Sequence, residues 1–288
     1  MDLFARTGDP VAMNSEWSDL AERTEAVAME RFNAETDPGT RAALGMETRR
    51  IGDGVLTTVL RDPMGGYWNK ALGFTEPVSA ELLTELTHAV ELSGVPALAI
   101  QVQPRCQTDG FAEAATRLGL AQGSAFVKCF GPAEPRDVET DGLRIERIGS
   151  DAAEEFSRIM HVGFQVEPSD HSRRWFADPA FFDGDWATYA AFDGDDPVAV
   201  ARLLVVAETG AGALFGAATM PAARGRGAQN ALLDVRIRDA RDRGCRFASA
   251  ETWAETPESP NPSQHNMRHA GLTEVHVRRN WVFRQTRG

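Results

Sequence analysis

Apolar positions in the C-terminal half of the chain follow two periods. From residue 156 to residue 164 they recur every three or four positions, which predicts a helix that begins after Ser150 or Asp151. Runs of β-branched, aromatic and small apolar residues predict strands. The predicted order is strand, two helices, three strands, helix, strand, helix and strand. The strands are residues 143–148, 186–192, 198–206, 213–220, 247–253 and 275–284, and the last two helices are residues 230–243 and 263–269.

The N-terminal half repeats this plan in a weaker form. The same patterns predict a helix over residues 79–93, a strand over 97–102, a helix over 111–118 and a strand over 125–130. A Pro-rich, charged stretch after residue 131 indicates a linker. We therefore predict a mixed α/β chain with two domains, residues 1–131 and 143–288, joined by a linker over residues 132–142. The pattern leaves the role of residues 1–75 open.

Composition narrows the class of protein. The chain has 288 residues, 42% of them hydrophobic and 25% charged, and its net charge is −12. This balance is typical of a soluble globular protein, and an acidic chain without a basic stripe argues against nucleic-acid binding. No apolar run is long enough to span a membrane, and the first residues do not resemble a secretory signal.

The three cysteines carry a prediction about compartment. Cys106, Cys129 and Cys245 are far apart and form no zinc spacing or CxxC motif, so no metal site is predicted. Reduced, buried thiols are typical of the cytosol, and we expect a cytoplasmic protein.

The stretch Arg224-Gly225-Arg226-Gly227-Ala228-Gln229 is the most informative motif. It follows a predicted strand and precedes a helix that begins near Asn230. The first N–H groups of a helix lack internal partners, and the helix dipole favours an anion there. Glycines let a ligand approach the backbone, and two arginines are suited to a diphosphate. The motif therefore predicts a phosphate-binding loop.

On these residues the C-terminal half resembles the GCN5-related N-acetyltransferase (GNAT) family. The family motif Q/R-x-x-G-x-G/A lines up with Arg224, Gly227 and Gln229, although Gln229 stands where Gly or Ala is usual. The later strand, helix and glycine of the family match residues 251–253, 263–268 and 271–272. The resemblance implies two GNAT-like domains, each with a mostly antiparallel central sheet flanked by helices.

The N-terminal domain is interpreted as a degenerate copy. The turn before its helix at residue 79 has one glycine, no arginine and the carboxylate of Glu76. Such a turn repels a diphosphate, so this half is expected to be a structural partner or one wall of the acceptor cleft.

The resemblance also assigns the cofactor, which is acetyl-CoA as the acyl donor. It implies that the pantetheine arm pairs with the strand backbone before the loop and that an Asn ahead of the last helix lies against the cofactor. The cofactor-binding residues so predicted are Ala217, Ala218, Thr219, Arg224, Gly225, Arg226, Gly227, Ala228, Gln229, Asn230 and Asn261.

Catalytic residues are less well marked. Many family members carry a Tyr as general acid where this chain has Met267, so we consider Ser263, one turn earlier, as a proton relay, with helix capping as the alternative. His265 and His269 are further candidates. Glu251, on a strand between aromatic residues, is the candidate base, with a structural salt bridge as the alternative.

These features leave two functions open. The first is an acetyl-CoA-dependent N-acetyltransferase that transfers an acetyl group directly to the amine of a small molecule. The alternative is a non-catalytic module that binds or senses acyl-CoA, as Met267 and Gln229 would allow. A P-loop nucleotide enzyme is disfavoured because no Gly-Lys-Ser/Thr follows the loop. A homodimer is left open.

Overall fold

A computed structural model describes residues 10–285, which form a single mixed sheet with helices on both faces. Eleven strands pair within these residues, in the order β1-β2-β3-β4-β11-β5-β10-β9-β8-β7-β6. The mixed α/β class predicted from the sequence is confirmed. The finding that the sequence pattern did not reveal is that both halves contribute to one continuous sheet.

The N-terminal half begins with a long helix and continues with an alternation of strands and helices. Its elements are α1 (Pro10–Glu35), α2 (Pro38–Leu44), β1 (Met46–Ile51), β2 (Gly54–Val59), β3 (Lys70–Phe74), α3 (Ala80–Ser93), β4 (Ala97–Val102), α4 (Phe111–Arg117) and β5 (Ala121–Pro132).

The C-terminal half follows the predicted order. Its elements are β6 (Arg144–Ile148), α5 (Ala153–Phe164), α6 (Asp170–Phe176), β7 (Trp186–Asp193), β8 (Asp196–Val206), β9 (Ala211–Thr219), α7 (Ala228–Asp242), β10 (Phe247–Trp253), α8 (Pro262–His269) and β11 (Thr273–Arg284). One detail differs from the prediction, because the residue that caps α5 is Ala152 and a 3-10 turn occupies Ser150–Ala152.

The last strand of the chain joins the two halves. β11 lies between β4 and β5 and pairs antiparallel with both, for example through Trp281 opposite Ile100. β5 in turn pairs with β10 along the whole length of β10, with Glu251 opposite Lys128. Each half therefore supplies a strand that pairs with strands of the other half. The division into two domains joined by a linker at residues 132–142 stays a prediction.

The helices cover the two faces of the sheet. On β8, Val200 belongs to the same core cluster as Phe32 of α1 and Phe156 of α5. Its neighbour Ala201 packs instead with Leu232 of α7. Because successive side chains of a strand point to opposite faces, α1 and α5 lie on one face and α7 on the other.

Helix α1 gives a structural role to part of the segment whose role the sequence left open. Met29 and Phe32 pack in one core cluster with Val55 and Leu72 of the N-terminal half and Trp186 of the C-terminal half. The helix therefore bridges the halves on one face of the sheet.

Two general features of the described residues bear on function. Across residues 10–285, no helix is long and apolar enough to cross a membrane, and no three metal-binding side chains are grouped together. The three cysteines are buried and form no disulfide bond, and burial raises the pKa of the Cys106 thiol to about 11.

Candidate active site

Strands β9 and β10 separate in the middle of the sheet. They pair in parallel over three positions, the last of which joins Ser249 to Ala213, and then diverge. β10 remains paired with β5 on its other side as far as Trp253. The backbone of β9 beyond Ala213 therefore lies beside an opening within the sheet.

A bulge in β9 marks the edge of this opening. Gly216 has a φ of +37° and lies between two register positions, Ala201 opposite Ala217 and Arg202 opposite Phe215. A positive φ at this position favours glycine. The bulge turns the strand locally and interrupts its pairing with β8.

Arg236 of α7 stabilises the bulge from the face of the sheet that α7 covers. Its Nη1 donates to the carbonyl oxygens of Arg202 at 3.1 Å and Phe215 at 3.5 Å, and its Nε donates to that of Leu232 at 2.7 Å. Burial lowers the pKa of this guanidinium to about 9. The side chain thus replaces ladder hydrogen bonds that the bulge removes.

The divergence of the strands opens into a cavity of about 350 Å³ that both halves line. The N-terminal half contributes Glu25, Ala28, Met29, Phe32, Met64, Tyr67, Trp68, Phe126 and Lys128. The C-terminal half contributes residues of α5 and α6, the bulge of β9, Ser249 to Trp253 of β10, and Gln229, Ser263, Asn266 and Met267 of the last two helices. The expectation that the first half forms one wall of the cleft agrees with this lining.

Among the described residues no side chain caps the N-terminus of α7, although the backbone carbonyl of Glu139 lies beside Gly227. The helix begins after Gly227, which has a φ of +80° and makes no side-chain capping hydrogen bond. Gly225 has a φ of +82°, and a Cβ added there would meet no atom within 4 Å among the described residues. The buried Oδ1 of Asn230 has no hydrogen-bond partner in that part of the chain. The uncapped helix end and the space beside Gly225 fit an anionic ligand, whereas the Asn230 Oδ1 is an acceptor and contributes nothing to an anion site.

The corresponding turn in the N-terminal half is closed. Asp53 accepts hydrogen bonds from the backbone N–H groups of Thr75 at 2.7 Å and Glu76 at 3.0 Å, and Ser79 caps α3 by accepting from the N–H of Leu82 at 3.3 Å. A carboxylate and a hydroxyl thus fill the positions that α7 leaves open.

Two side chains of the loop, Arg226 and Gln229, already have hydrogen-bond partners within the protein, and Arg224 is exposed to solvent. Arg226 forms a bidentate pair with Asp193, and this hydrogen bonding raises the pKa of the arginine. Arg224 is exposed. Gln229 donates through Nε2 to the hydroxyl of Thr219 at 3.0 Å, so its side chain bends back towards β9. Of the two predicted arginines, therefore, Arg226 already has an anionic partner.

Glu251 lies at the cavity wall within a buried ion network. Its carboxylate contacts the guanidinium of Arg278, and its oxygens lie 3.4 Å from the Nζ of Lys70 and 3.7 Å from that of Lys128. Glu25 of α1 contacts both Arg278 and Lys128. These contacts are the ones that the salt-bridge alternative predicts, although the carboxylate also faces the cavity.

The network continues away from the cavity to Glu22. This carboxylate pairs with Arg278 and accepts from His276 Nε2 at 2.8 Å. Although burial raises its pKa, the Arg278 guanidinium holds the pKa of Glu22 below the usual value. Three carboxylates and three strong cations thus neutralise one another at the junction of the halves.

Helix α8 carries the other predicted residues. Ser263 is exposed at the cavity, and its backbone N–H donates to Asn261 Oδ1 at 3.0 Å. Asn261 is the N-cap of the helix, is buried, and donates to Thr252 Oγ1 at 2.9 Å. The capping role weighed for Ser263 therefore belongs to Asn261, whose amide is engaged within the protein. Met267 lines the cavity as the motif placed it.

The histidines on α8 lie elsewhere. His265 Nε2 donates a hydrogen bond of 2.7 Å to the carboxylate of Glu255, and His269 is exposed. Glu255 also pairs with Arg268. Glu255, His265 and Arg268 form a surface ion cluster after the end of β10.

The sequence analysis missed the aromatic wall and the cations around Glu251. Phe32, Trp68 and Lys70 come from α1, the segment after β2, and β3, which are far from the loop in sequence. Tyr67, assigned to the degenerate half, also lines the cavity. The weak repeat was the one sequence signal that pointed towards a shared cleft.

With this geometry in place, comparison with known proteins identifies the class. Residues 149–265 match the acetyltransferase (GNAT) family, and this segment contains β9, α7 and β10, which carry the open helix end and the strand divergence. The match covers most of the C-terminal half and agrees with the GNAT resemblance of the sequence motif. Among curated proteins no sequence matches the chain.

Solved structures extend the likeness to the whole chain. A GNAT from Kribbella flavida has a TM-score of 0.61 at 14% identity over 92% of this chain and 96% of its own. One from Sphaerobacter thermophilus has a TM-score of 0.59 at 16% identity over 98% and 96%. A tandem GNAT protein from the clavulanic acid biosynthesis pathway has a TM-score of 0.59 at 12% identity over 97% of each chain. Identities this low show a shared fold only.

Proposed function

We propose that the protein is an acetyl-CoA-dependent N-acetyltransferase that acts on the amine of a small molecule. The observation that carries the proposal is the continuity between the open N-terminus of α7 and the cavity. Gln229, in the first turn of α7, lines the same cavity as Gly216 and Glu251. One ligand with a phosphate group at one end and a reactive group at the other fits this path.

The residues present fit such a ligand. The uncapped helix end and the open space beside Gly225 are available to a diphosphate. In this proposal residues 224–230 hold the diphosphate, with Arg224 as the freer cation, and the backbone of Ala217, Ala218 and Thr219 holds the pantetheine arm. Asn261 contributes by capping α8 at the cavity wall.

When bound, acetyl-CoA supplies a thioester whose C–S bond breaks as the C–N bond to the amine forms. The protein must then hold the amine, stabilise negative charge on the carbonyl oxygen and move one proton from the amine towards the sulfur. The N–H groups of β9 near Gly216 are suited to the oxygen. Glu251, directly or through water, is proposed to take the proton, and the Ser263 hydroxyl to relay one to the sulfur.

The alternative function is an acyl-CoA binding or sensing module without turnover. Met267 at the cavity and the three cations around Glu251 favour it, because those cations compete with an amine for the carboxylate lone pairs. Both proposals include a cytoplasmic location, because the three cysteines form no disulfide bond and reduced thiols are typical of the cytosol.

Calorimetric titration with CoA, combined with a thiol-release assay over an amine panel, tests both functions. The variant Gly225→Glu places a carboxylate at the open helix end and should weaken CoA binding by about 100-fold or more, because like charges repel at close range. The matched control is Gly244→Glu, at the other end of α7. That glycine has a φ of +89° and the same open surroundings, so backbone strain is comparable.

The outcomes separate the proposals. Unchanged CoA affinity in folded Gly225→Glu, or equal loss in Gly244→Glu, would refute the phosphate site. Tight CoA binding by the wild type without thiol release on any amine would refute the enzyme and support the sensor.

A further inference from the structure

We propose that the acceptor amine is carried on a flat apolar body, as in an arylalkylamine, and not on a polyhydroxylated body such as an amino sugar. The inference rests on the proposed function, because it names the acceptor class of that same cavity. It is drawn from the aromatic wall of the cavity, to which the N-terminal half contributes Phe32, Tyr67 and Trp68 and the C-terminal half Phe215.

This wall is a continuous aromatic cluster. The ring of Phe32 stacks on that of Trp68 at 4.9 Å between centroids, and Phe215 lies 5.0 Å from Phe32 and 5.8 Å from Trp68. Tyr67 meets Trp68 edge to face at 5.4 Å. Phe215 directly precedes the Gly216 bulge, so the cluster begins next to the proposed reaction point.

The polar groups of the cavity are distributed unevenly. Most of those without charge lie on β10, α7 and α8, and the opposite side carries the Tyr67 hydroxyl; the residues on the first side are Gln229, Ser249, Thr252, Ser263 and Asn266. On the opposite side, the indole N–H of Trp68 donates to the sulfur of Met64 at 3.3 Å. The acceptor side therefore offers few free hydrogen-bonding groups.

The charged lining residues are also engaged within the protein. Glu25, Lys128 and Glu251 belong to the neutral ion network, and Arg236 is bonded to backbone carbonyls. The guanidinium of Arg202 lies 3.9 Å from the ring centroid of Phe156 and donates to the Phe176 carbonyl at 2.6 Å, while its buried Nε has no partner among the described residues. A hydroxyl-rich acceptor would lose its hydration and regain few hydrogen bonds, whereas an aromatic body would gain ring contacts.

The size of the cavity limits the acceptor further. A volume of about 350 Å³ is near the lower end of the roughly 300–1,000 Å³ of small-molecule sites, and the thioester end of the donor must share it. One ring system with a short aminoalkyl chain is therefore the expected size.

Steady-state thiol release with acetyl-CoA tests this acceptor class. The panel contains phenethylamine and tryptamine as aryl amines, and glucosamine and kanamycin as hydroxylated ones. The expected kcat/KM is at least about tenfold higher for the aryl amines, the scale of discrimination that an apolar pocket provides.

Two variants test the apolar lining of the cavity, one in the aromatic cluster (Tyr67) and one on α5 outside that cluster (Phe164). Tyr67 and Phe164 line the cavity and are 40% and 43% exposed, so Tyr67→Ser and Phe164→Ser should fold normally. Phe164→Ser should lower kcat/KM for phenethylamine several-fold and leave that for glucosamine and the CoA affinity unchanged. Tyr67→Ser also removes a ring 3.9 Å from the Nζ of Lys70, so it should lower kcat/KM for phenethylamine more than that for glucosamine. The matched control is Leu92→Ser, an exposed apolar residue on α3 outside the cavity lining, which should change none of these values.

Preference for the hydroxylated amines would overturn the inference and leave the N-acetyltransferase standing. An aryl preference that survives both variants unchanged would also overturn it. CoA binding without thiol release on every amine would refute the proposed function, and this inference with it.

Discussion

The carboxylate of Glu251 belongs both to the ion network and to the cavity surface. Its side chain is 9% exposed and has Arg278, Lys70 and Lys128 around it. Removing one member of a buried ion network leaves the others uncompensated, whereas the exposed ion pairs of this chain matter much less. Position and partners together make this residue the most informative one to change.

We predict that Glu251→Gln lowers the free energy of unfolding by about 3–5 kcal/mol, because three cations then share one carboxylate fewer. It should also lower turnover by about 100-fold or more at unchanged CoA affinity, the usual effect of losing a general base. Urea denaturation and thiol release measure the two effects.

Glu255→Gln is the control, since that carboxylate pairs with Arg268 and His265 at the surface. Full activity of a folded Glu251→Gln protein would remove Glu251 from the mechanism and leave the salt bridge as its whole role.

At the scale of single residues, the sequence predicted features that are built from residues adjacent in the chain. The glycine-rich turn before α7 was predictable because its glycines and arginines are contiguous and lie between a strand and a helix. The partners of Glu251 were not, because Lys70, Lys128 and Arg278 come from three strands separated by more than fifty residues each. Periodicity indicates which face of an element is buried, but not which distant element covers it.

At the scale of elements, the junction of α5 and α6 holds part of the cavity wall. His161 on α5 is buried, with Nδ1 2.7 Å from the Ser157 carbonyl and Nε2 2.8 Å from the hydroxyl of Ser172 on α6. In the neutral form the Nδ1–H donates to the carbonyl and Nε2 accepts from the hydroxyl. Protonation would convert that acceptor into a donor.

We predict that acidification loosens this junction. Burial lowers the pKa of His161 below its ordinary value of 6.5, so the unfolded state binds the proton more readily. Stability therefore rises with pH between the folded-state pKa and about 6.5, by at most about 1.4 kcal/mol per pH unit, and is lost as the pH falls through that window.

Urea midpoints at pH 5 and pH 7.5 measure this dependence. His161→Gln should reduce the difference between the two pH values, while His88→Gln, at an exposed side chain on α3, should leave it as in the wild type. Equal pH dependence in all three proteins would contradict the assignment to His161.

At the scale of the whole molecule, the sequence predicted two similar halves but not their exchange of strands. The residue types of 275–284 predict a strand, yet they contain no information about its neighbours. The structure places β11 between β4 and β5. Pairing across such a distance is decided by how the halves pack, which no local pattern encodes.

This exchange predicts that the two halves unfold together. If β11 leaves the sheet, β4 and β5 both lose a partner, and the network around Arg278 loses its central cation. Urea unfolding followed by tryptophan fluorescence and by far-UV circular dichroism should give coincident single transitions, with an m value that scales with the whole chain and not with half of it.

Arg278→Met should shift both curves together. A fragment of residues 143–288, which lacks β5, should not give a cooperative transition, because β10 then has an unpaired edge. Two separated transitions in the intact chain would instead show that each half is stable without the strand it receives from the other.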